Sequence, residues 1–286
     1  MTFAEWMSKY FALYKRDLSP KTLEGYDRLQ GLLSPLLGSL ALASVSPDDL
    51  QMAINHVADV AGSRQAQIAY ALIHAALSRA VKSRHLPFNP CDAVDKPTHH
   101  QQKGKAISDA DWEILRPMID DELAFALMAR AGLRRGELLA LCWADVDLAS
   151  RQIKVSKQLI RVDGQLKTSP PKSHAGVRCV PIEPQLLQIL RRSYRLTPTQ
   201  RVVRCAPETL ARRWRRVQLE AGIKQPYRLH DLRHTYATRM VVAGCDLKHL
   251  QYMIGHSSFQ LTADTYTHID ANHALRELDR VSGSLH

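Results

Sequence analysis

The sequence lacks the features of a membrane-spanning or secreted protein. Its 286 residues contain no apolar run of the roughly 18 residues that a bilayer span needs. The N-terminus, MTFAEWMSKY, has no basic segment followed by an apolar core, so it does not predict a secretory signal. The five cysteines form no CxxC pair, and their odd number suits free thiols in a reducing compartment. We therefore expect a cytoplasmic protein with no membrane partner.

Motifs for nucleotide or metal chemistry are also missing or incomplete. No Walker-type phosphate loop is present, and no carboxylate cluster suggests a two-metal nuclease. HDLRH places His230 and His234 at the spacing of the zinc motif HExxH, but Asp231 replaces the glutamate and no clear third ligand follows. His99 and His100 are adjacent histidines in a polar stretch, which is a weak metal signal. We predict no metal site and no cofactor.

The positive charge is concentrated in one part of the chain. The formal net charge is +11. Residues 1–98 carry ten Lys/Arg against nine Asp/Glu, whereas residues 172–239 carry fifteen against four. Such a concentration is typical of a protein that binds nucleic acid. The alternative is an ordinary solvated basic face.

The first 95 residues predict a small bundle of about four helices. Residues 2–15 place aromatic and apolar side chains at three- and four-residue spacings, as one buried face of a helix requires. Ser19-Pro20 and Ser46-Pro47 each combine an N-cap residue with proline at the first helical position. A long Ala-rich helix follows Gly62. Residues 96–106 are polar and basic without an apolar period, which predicts an interdomain linker.

The remainder, residues 107–286, predicts an α+β domain. Ser108 is an expected N-cap, and Gly132 is an expected helix stop. Residues 151–182 alternate in polarity around the hairpin turn Asp163-Gly164, so we expect a three-stranded antiparallel sheet. Helices are predicted at 184–195, 207–221, 229–243, after the cap Asp246, at 258–267 and at the C-terminus.

Residues suited to phosphodiester chemistry lie close together between Tyr227 and Tyr266. His230 and Arg233 are three residues apart and share a helical face. His256 lies ten residues before Tyr266. An arginine makes planar, bidentate contacts to phosphate oxygens, and a tyrosine hydroxyl can form a covalent intermediate. This stretch therefore predicts an active site that acts on a phosphodiester.

The motifs HDLRHTYAT, GHSS and DTYTH together resemble the catalytic domain of tyrosine recombinases, the phage integrase family. AGLRRGELLALCW matches that family's upstream arginine motif with Arg134 and Glu137, and SPPKSHAGVRCVPI matches its lysine motif with Lys172, chosen over Lys167. The N-terminal region is similar to the family's core-binding, SAM-like domain. The resemblance implies a mainly α fold with a small antiparallel β-sheet: a SAM-like DNA-binding bundle at 1–95, a linker at 96–106 and an α+β catalytic domain at 107–286.

The resemblance also implies a chemical role for each matching residue. Two arginines would neutralise the phosphorane-like transition state, a lysine would protonate the leaving 5′-oxygen, and a tyrosine would form a 3′-phosphotyrosine. His230 would act as base or as a hydrogen-bond partner of the nucleophile, His256 would donate to a non-bridging oxygen, and Glu137 would orient Arg134. In the order of the chain these residues are Arg134, Glu137, Lys172, His230, Arg233, His256 and Tyr266, with Tyr266 the nucleophile.

Further basic side chains are candidates for contacts with the DNA backbone. Four lie in the first domain, and four surround Trp214 in a later helix. They are Lys21, Arg64, Arg79, Lys82, Arg212, Arg213, Arg215 and Arg216. By resemblance, the partner is double-stranded DNA carrying recombination sites, and the assembly is a homotetramer on two sites, associated with the nucleoid. Residues 271–286 are expected to pack on a neighbouring protomer.

Within the family, the resemblance favours integration and excision of a phage or mobile element. The alternatives are a Xer-type chromosome-dimer resolvase and a catalytically inactive DNA-binding relative. A type IB topoisomerase shares the fold and chemistry, but the size of this chain and its N-terminal domain disfavour it. The chain begins directly with core-binding-like sequence, so we expect either an element without arm sites or a shortened chain.

Overall fold

The computed structural model describes residues 1–99, 104–162, 164–171, 174–194 and 197–256. The chain forms two compact units. The first comprises Met1–Gln102 with Arg161–Gln165, and the second comprises Lys103–Ile160 with Leu166–His286. None of the helices in the described ranges is long and apolar enough to cross a membrane.

The first unit is built on four helices. Their bounds are α1 Phe3–Tyr14, α2 Pro20–Leu37, α3 Pro47–Ala61 and α4 Ser63–Lys82. The predicted starts are confirmed: Ser19 Oγ accepts from the Thr22 N–H at 3.3 Å, and Ser46 Oγ accepts from the Asp49 N–H at 3.2 Å. Each cap satisfies an N–H that has no partner within its own helix.

The core of the first unit is formed by the apolar faces that the sequence spacing predicts. In α1, Phe3, Trp6, Met7 and Tyr10 are buried. The Trp6 indole N–H donates to the Ala76 carbonyl at 3.0 Å, so its polar atom is satisfied inside the core. Each large apolar side chain that is fully buried contributes about 1.5–3 kcal/mol to folding.

The second unit contains seven helices and five short strands within its described part, although Arg161–Gln165, which includes the ends of two of these strands, is grouped with the first unit. Its helices are α5 Asp109–Asp121, α6 Leu123–Ala131, α7 Arg135–Ala140, α8 Pro184–Ser193, α9 Pro207–Glu220, α10 Asp231–Val242 and α11 Leu247–Ile254. Its strands are β1 Val146–Asp147, β2 Gln152–Val155, β3 Gln158–Val162, β4 Gln165–Ser169 and β5 Arg178–Pro181. Several short 3₁₀ turns lie between these elements, one of them at His174–Gly176.

The predicted composition of the sheet was wrong. The three-stranded antiparallel sheet has the order β1-β2-β5, whereas β3 and β4 form a separate two-stranded hairpin. The alternating stretch that we expected to be one strand is interrupted at Ser156 and Lys157. The Lys157 ammonium lies 2.8 Å from the Asp145 carboxylate. Polarity alternation alone does not reveal such a break, because the buried residues Ile153, Val155 and Leu159 keep the same two-residue period across it.

The packing of the second unit positions the candidate site. Every residue of α6 except Leu123 and Arg130 is buried, so this helix forms the centre of the core. Helix α10 packs against α6 and α11, and α11 also packs against β5. Trp214 of α9 donates to the Tyr227 carbonyl at 2.9 Å, and the Tyr227 hydroxyl donates to Asp111 at 2.6 Å. These bonds fix the loop that leads into α10.

Candidate functional site

Three helix termini lie close together in the second unit, and predicted site residues lie at or next to each of them. Helix α6 ends at Gly132 in the left-handed conformation (φ +63°), and α11 ends in the same way at Gly255 (φ +65°). Arg233 of α10 connects these two ends, because its Nη1 donates to the Gly132 carbonyl at 2.6 Å and its Nη2 donates to the Ile254 carbonyl. The turn after each glycine leads directly to a site residue.

Arg134 stands just after the end of α6 and is held from two sides. Its Nη1 donates to Glu137 Oε1 at 2.8 Å, and its Nη2 donates to the Gly255 carbonyl at 2.6 Å. The Arg134 backbone N–H also donates to Glu137 Oε2 at 2.9 Å. The side chain keeps 34% of its surface exposed, so the guanidinium is fixed yet accessible to a ligand. Glu137 thus lies where the sequence predicted it, one turn beyond the arginine.

Glu137 is shared by a second arginine, Arg178 of β5, which sequence reasoning missed. Arg178 Nη1 and Nη2 donate to the two carboxylate oxygens, each at 3.0 Å. Burial alone would raise the pKa of Glu137, but the hydrogen bond and charge of Arg178, followed by the charge of Arg134, lower this pKa to about 2. The carboxylate therefore stays ionised at neutral pH.

Two predicted histidines flank the arginines. His230 lies at the N-cap position of α10, one residue before the helix, and His256 directly follows Gly255. The surrounding protein and then the Arg233 charge lower the pKa of His230 to about 4, although part of the ring faces solvent. Burial, followed by the charges of Arg233 and Arg134, lowers the pKa of His256 to about 3. Both imidazoles are therefore neutral at pH 7 in the unbound protein.

His234 packs directly on His230. The two rings have centroids 5.2 Å apart and an interplanar angle of 84°. Burial also lowers the pKa of His234. A Cβ added at Gly104 would lie 2.2 Å from His234 Nε2, so the backbone at Gly104 lies against this ring. The Ile107 N–H donates to the Thr235 hydroxyl at 2.9 Å, so the segment from 104 to 107 runs along the start of α10.

Two predicted catalytic residues lie outside the described residues. These are Lys172 and Tyr266, together with the predicted helix at 258–267 and the segment 271–286. His100 and Asp163 also lie outside them. The structure therefore brings together Arg134, Glu137, His230, Arg233 and His256. In the described ranges, no group of three or more His, Cys, Asp or Glu is arranged to hold a metal ion.

The candidate DNA contacts of the first unit are surface residues with local partners. Lys21 lies 3.0 Å from Glu24, and Arg64 Nη1 donates to Gln67 at 2.6 Å. The Arg79 guanidinium stacks 4.2 Å from the centre of the Tyr14 ring, and Lys82 is exposed nearby on α4. Arg79, Lys82 and Tyr14 line a surface groove of about 410 Å³.

The four arginines of α9 are exposed, whereas Trp214 between them is buried. Arg213 pairs with Glu122 at 2.9 Å, and Arg216 pairs with Glu220 at 2.7 Å. Exposed ion pairs of this kind contribute at most about 1 kcal/mol, so a phosphate can compete for these arginines.

The helical fold with a small sheet and this group of arginines and histidines define the class of tyrosine recombinases. The model of the phage integrase family matches residues 116–273, and the model of the phage integrase N-terminal SAM-like domain matches residues 2–58. Because the first match covers more than half of the sequence, the chain belongs to the phage integrase family.

Individual relatives include both integrases and Xer proteins. The chain is 27% identical over 234 residues to the ICEBs1 integrase of Bacillus subtilis, covering 72% of this chain and 62% of that protein. It is 30% identical over 176 residues to a XerC-like tyrosine recombinase of Caldanaerobacter subterraneus, covering 51% of this chain and 44% of that protein. It is 27% identical over 290 residues to tyrosine recombinase XerC of Actinobacillus succinogenes, covering 93% of each. The chain thus spans less than two thirds of the first two relatives.

Solved structures share the fold. The Tn1549 transposon integrase in complex with a circular intermediate DNA superposes with a TM-score of 0.79 at 23% identity, covering 98% of this chain and 99% of that one. A lambda integrase tetramer bound to a Holliday junction superposes with a TM-score of 0.67 at 16% identity, covering 93% and 77%.

Proposed function

We propose that this protein is a site-specific DNA recombinase that cleaves and rejoins strands through a 3′-phosphotyrosine. The observation that carries the proposal is the convergence of Arg134, Arg233, His230 and His256 at the termini of α6, α10 and α11. Tyr266 follows His256 by ten residues, in the motif DTYTH. No single one of these residues would support the proposal alone, because isolated arginines and histidines are common on protein surfaces.

Arg134, whose side chain is 34% exposed, is suited to bind the scissile phosphate, and the buried Arg233, which is 3% exposed, adds its positive charge to the same site. Attack on phosphorus places additional negative charge on the non-bridging oxygens, and fixed cations that face this charge lower the barrier. Arg134 is anchored by Glu137 and Gly255, and Arg233 by Gly132 and Ile254. Loss of one such donor costs about 10²- to 10³-fold in rate.

The histidines are suited to proton transfer and hydrogen bonding. In the proposed cleavage step, the Tyr266 oxygen forms a bond to phosphorus, the bond from phosphorus to the 5′-oxygen breaks, and the tyrosine proton passes to neutral His230. Lys172 supplies the proton that the 5′-oxygen takes up. The negative charge of bound phosphate raises the pKa of His230 again, which favours this transfer. The phosphodiester is replaced by a phosphotyrosine ester, so rejoining needs no ATP.

We propose integration or excision of a mobile element as the biological role. The resemblance of the N-terminal domain to the phage type and the similarity to the ICEBs1 integrase support it. A Xer-type resolvase is the second candidate, and it is favoured by the match to XerC along 93% of both chains. A catalytically inactive DNA-binding relative is the third.

The domain limits and the assembly belong to the same proposal. Residues 1–95 are proposed to bind core DNA, 96–106 to link the domains and 107–286 to carry out the chemistry. A homotetramer on two DNA sites is proposed because a related integrase has been solved as a tetramer on a Holliday junction. We also propose that the protein acts in the cytoplasm, on the nucleoid.

A covalent-trapping experiment tests the proposed chemistry. The protein is incubated, in EDTA, with nicked duplexes covering the flanks of its own gene, quenched in SDS, and examined for a slowly migrating adduct. We expect an adduct with the wild-type protein and none with Tyr266→Phe, because only the phenol supplies the nucleophilic oxygen.

The controls separate the candidate functions. An adduct that persists in Tyr266→Phe would refute the choice of nucleophile. Salt-sensitive binding without any adduct would favour the inactive relative. Recombination between two non-identical attachment sites would support an integrase, whereas recombination only between identical repeats would support a resolvase.

A further inference from the structure

Three arginines bind three consecutive carbonyls at the C-terminus of α11. Arg178 Nε donates to the Met253 carbonyl at 2.6 Å, Arg233 Nη2 donates to that of Ile254, and Arg134 Nη2 donates to that of Gly255 at 2.6 Å. The last carbonyls of a helix have no partners within the helix and carry the negative end of its dipole. This helix end is therefore a common anchor for Arg134, Arg233 and a third arginine.

Arg178 differs from Arg134 because its side chain is completely enclosed, and Arg233 is likewise buried. The Arg178 side chain has 0% of its surface exposed, against 34% for Arg134. Its Nη1 also donates to the Gly176 carbonyl at 3.2 Å, and the remaining donors reach Glu137 and Met253. A residue with no exposed surface does not reach DNA, so any effect on the reaction passes through its neighbours.

The neighbours of Arg178 are those that orient the reactive groups. Glu137 accepts from Arg178 through the same two oxygens that accept from Arg134. Shared between two arginines, the carboxylate has one orientation that satisfies both, which fixes the rotamer of Arg134. The bond to Met253 fixes the last turn of α11, which leads through Gly255 to His256.

We propose that Arg178 is a positioning residue for strand cleavage, which sets the orientation of Arg134 through Glu137 and the place of His256 through the end of α11. This inference rests on the proposed function, because it assumes that Arg134 and His256 face the scissile phosphate. A purely structural role is the alternative, since a buried arginine paired with a carboxylate also contributes to folding.

The test replaces Arg178 by lysine and uses a matched arginine as control. Lysine keeps the charge but is a point donor without the planar fork, so it does not satisfy Glu137 and Met253 together. Arg130 is the control, because its ion pairs with Asp120 at 2.6 Å and Glu183 at 2.9 Å lie in the same unit and reach none of the proposed site residues. Thermal unfolding and DNA binding are measured for Arg178→Lys, Arg130→Lys and Arg134→Ala.

The deciding readout is adduct formation on two substrates, one with the normal scissile phosphate and one with a neutral methylphosphonate. On the phosphate we expect Arg178→Lys to lose about 100-fold in rate, as a misplaced group does, with DNA binding kept. The methylphosphonate carries no negative charge for Arg134 to neutralise. On this substrate we therefore expect Arg178→Lys and Arg134→Ala to form the adduct at rates closer to that of the wild type. Arg130→Lys should match the wild type on both substrates.

Other results would overturn the inference. A wild-type rate in Arg178→Lys would show that its fork is not needed, and an equal loss on both substrates would indicate a structural role only. If Arg178→Lys fails to fold while Arg130→Lys folds, the role is structural and the inference is wrong. If the wild type forms no adduct on either substrate, the proposed function fails, and this inference fails with it.

Discussion

Glu137 combines deep burial with full charge. Its side chain is 3% exposed and lies between Arg134 and Arg178. The hydrogen bond and charge of Arg178, with the charge of Arg134, lower the pKa of this carboxylate to about 2, so it is ionised at neutral pH. A buried ion pair of this kind is weak evidence for net stability, because desolvation opposes the Coulomb gain. Removing one partner is nevertheless costly, since the other charge then remains buried without compensation.

We therefore expect Glu137→Ala to lower the free energy of unfolding by about 3–5 kcal/mol. Denaturant unfolding at neutral pH measures this. Glu113→Ala is the control, because Glu113 forms only an exposed ion pair with Arg116, with side chains that are 63% and 50% exposed. A loss in Glu137→Ala no larger than in the control would contradict the network described above.

The depressed histidine pKa values predict how stability depends on pH. His230 and His256 have folded pKa values of about 4 and about 3, below the ordinary value of 6.5. Between these values the unfolded chain binds more protons than the folded one, so the free energy of unfolding falls as pH falls below 6.5. Above that value the two histidines add no pH dependence.

Histidine titration by NMR on the DNA-free protein measures the two values directly. We expect the ring signals of His230 and His256, assigned by His→Gln substitutions, to titrate well below 6.5. The double substitution should also flatten the fall in stability on going from about pH 6.5 to about pH 4.5. Ordinary titration of either ring near 6.5 would show that burial and the arginine charges do not lower its pKa as described.

At the residue scale, motifs in the sequence predicted the candidate site residues, but not the residue that holds them in place. Arg134, Glu137, His230, Arg233 and His256 were found from motifs. Arg178 was missed because a single arginine in a predicted strand is ordinarily expected to face solvent. A signal was present: Arg178 shares the strand face of Val180 and Ile182, both buried, so a charge stands where an apolar residue is expected.

At the scale of elements, the end of α11 depends on a glycine for two reasons. Gly255 has a φ of +65°, and an added Cβ would lie 2.9 Å from the Ala175 carbonyl oxygen and 3.0 Å from Arg178 Nη1. The left-handed conformation makes this a stop signal for the helix, and the close approach places the turn against Arg178.

We expect Gly255→Ala to slow adduct formation and to lower stability by more than the roughly 1–2 kcal/mol that a left-handed alanine costs. Gly222→Ala is the matched control, because Gly222 has a φ of +69° and no atom within 4 Å of an added Cβ. Unfolding and trapping assays on both variants separate backbone strain from contact with Arg178. Equal effects in both would mean that contact with Arg178 does not matter.

Helix starts were predictable because their signals are local. Ser19, Ser46, Ser108 and Asp246 each cap the helix that follows them, as their positions before helical sequence predicted. Strand pairing was not predictable in the same way, because β2 pairs with β5 across an intervening hairpin. The choice of partner depends on the core, where Ile153 and Val180 are both fully buried opposite each other.

At the scale of the whole molecule, charge distribution governs the expected affinity for DNA. The four exposed arginines of α9 lie in the most basic part of the chain. The binding constant K falls as salt rises, and each phosphate contact that is lost makes the slope of log K against log salt shallower by about 0.9. Two pairs of these arginines can be compared. One pair is Arg212 and Arg215. The other is Arg213 and Arg216, which form ion pairs with Glu122 at 2.9 Å and with Glu220 at 2.7 Å.

We expect Arg212→Gln/Arg215→Gln to reduce the salt slope by about 2 and Arg213→Gln/Arg216→Gln to reduce it by less. The physical reason is that the second pair gives up existing ion pairs when it binds phosphate. Fluorescence anisotropy with a short duplex over a range of salt concentrations measures both slopes. Unchanged slopes in both variants would place the DNA contacts elsewhere.

The segment from Gly104 to Ile107 determines where the chain can be cut for work on the second unit alone. Ile107 is buried, its N–H donates to Thr235, and the backbone of Gly104 covers one edge of His234. A shortened protein that starts at Ser108 would lose these contacts along the helix that holds His230 and Arg233. One that starts at or before Gly104 would keep them, so a few residues at its beginning decide whether a fragment reports on the intact site.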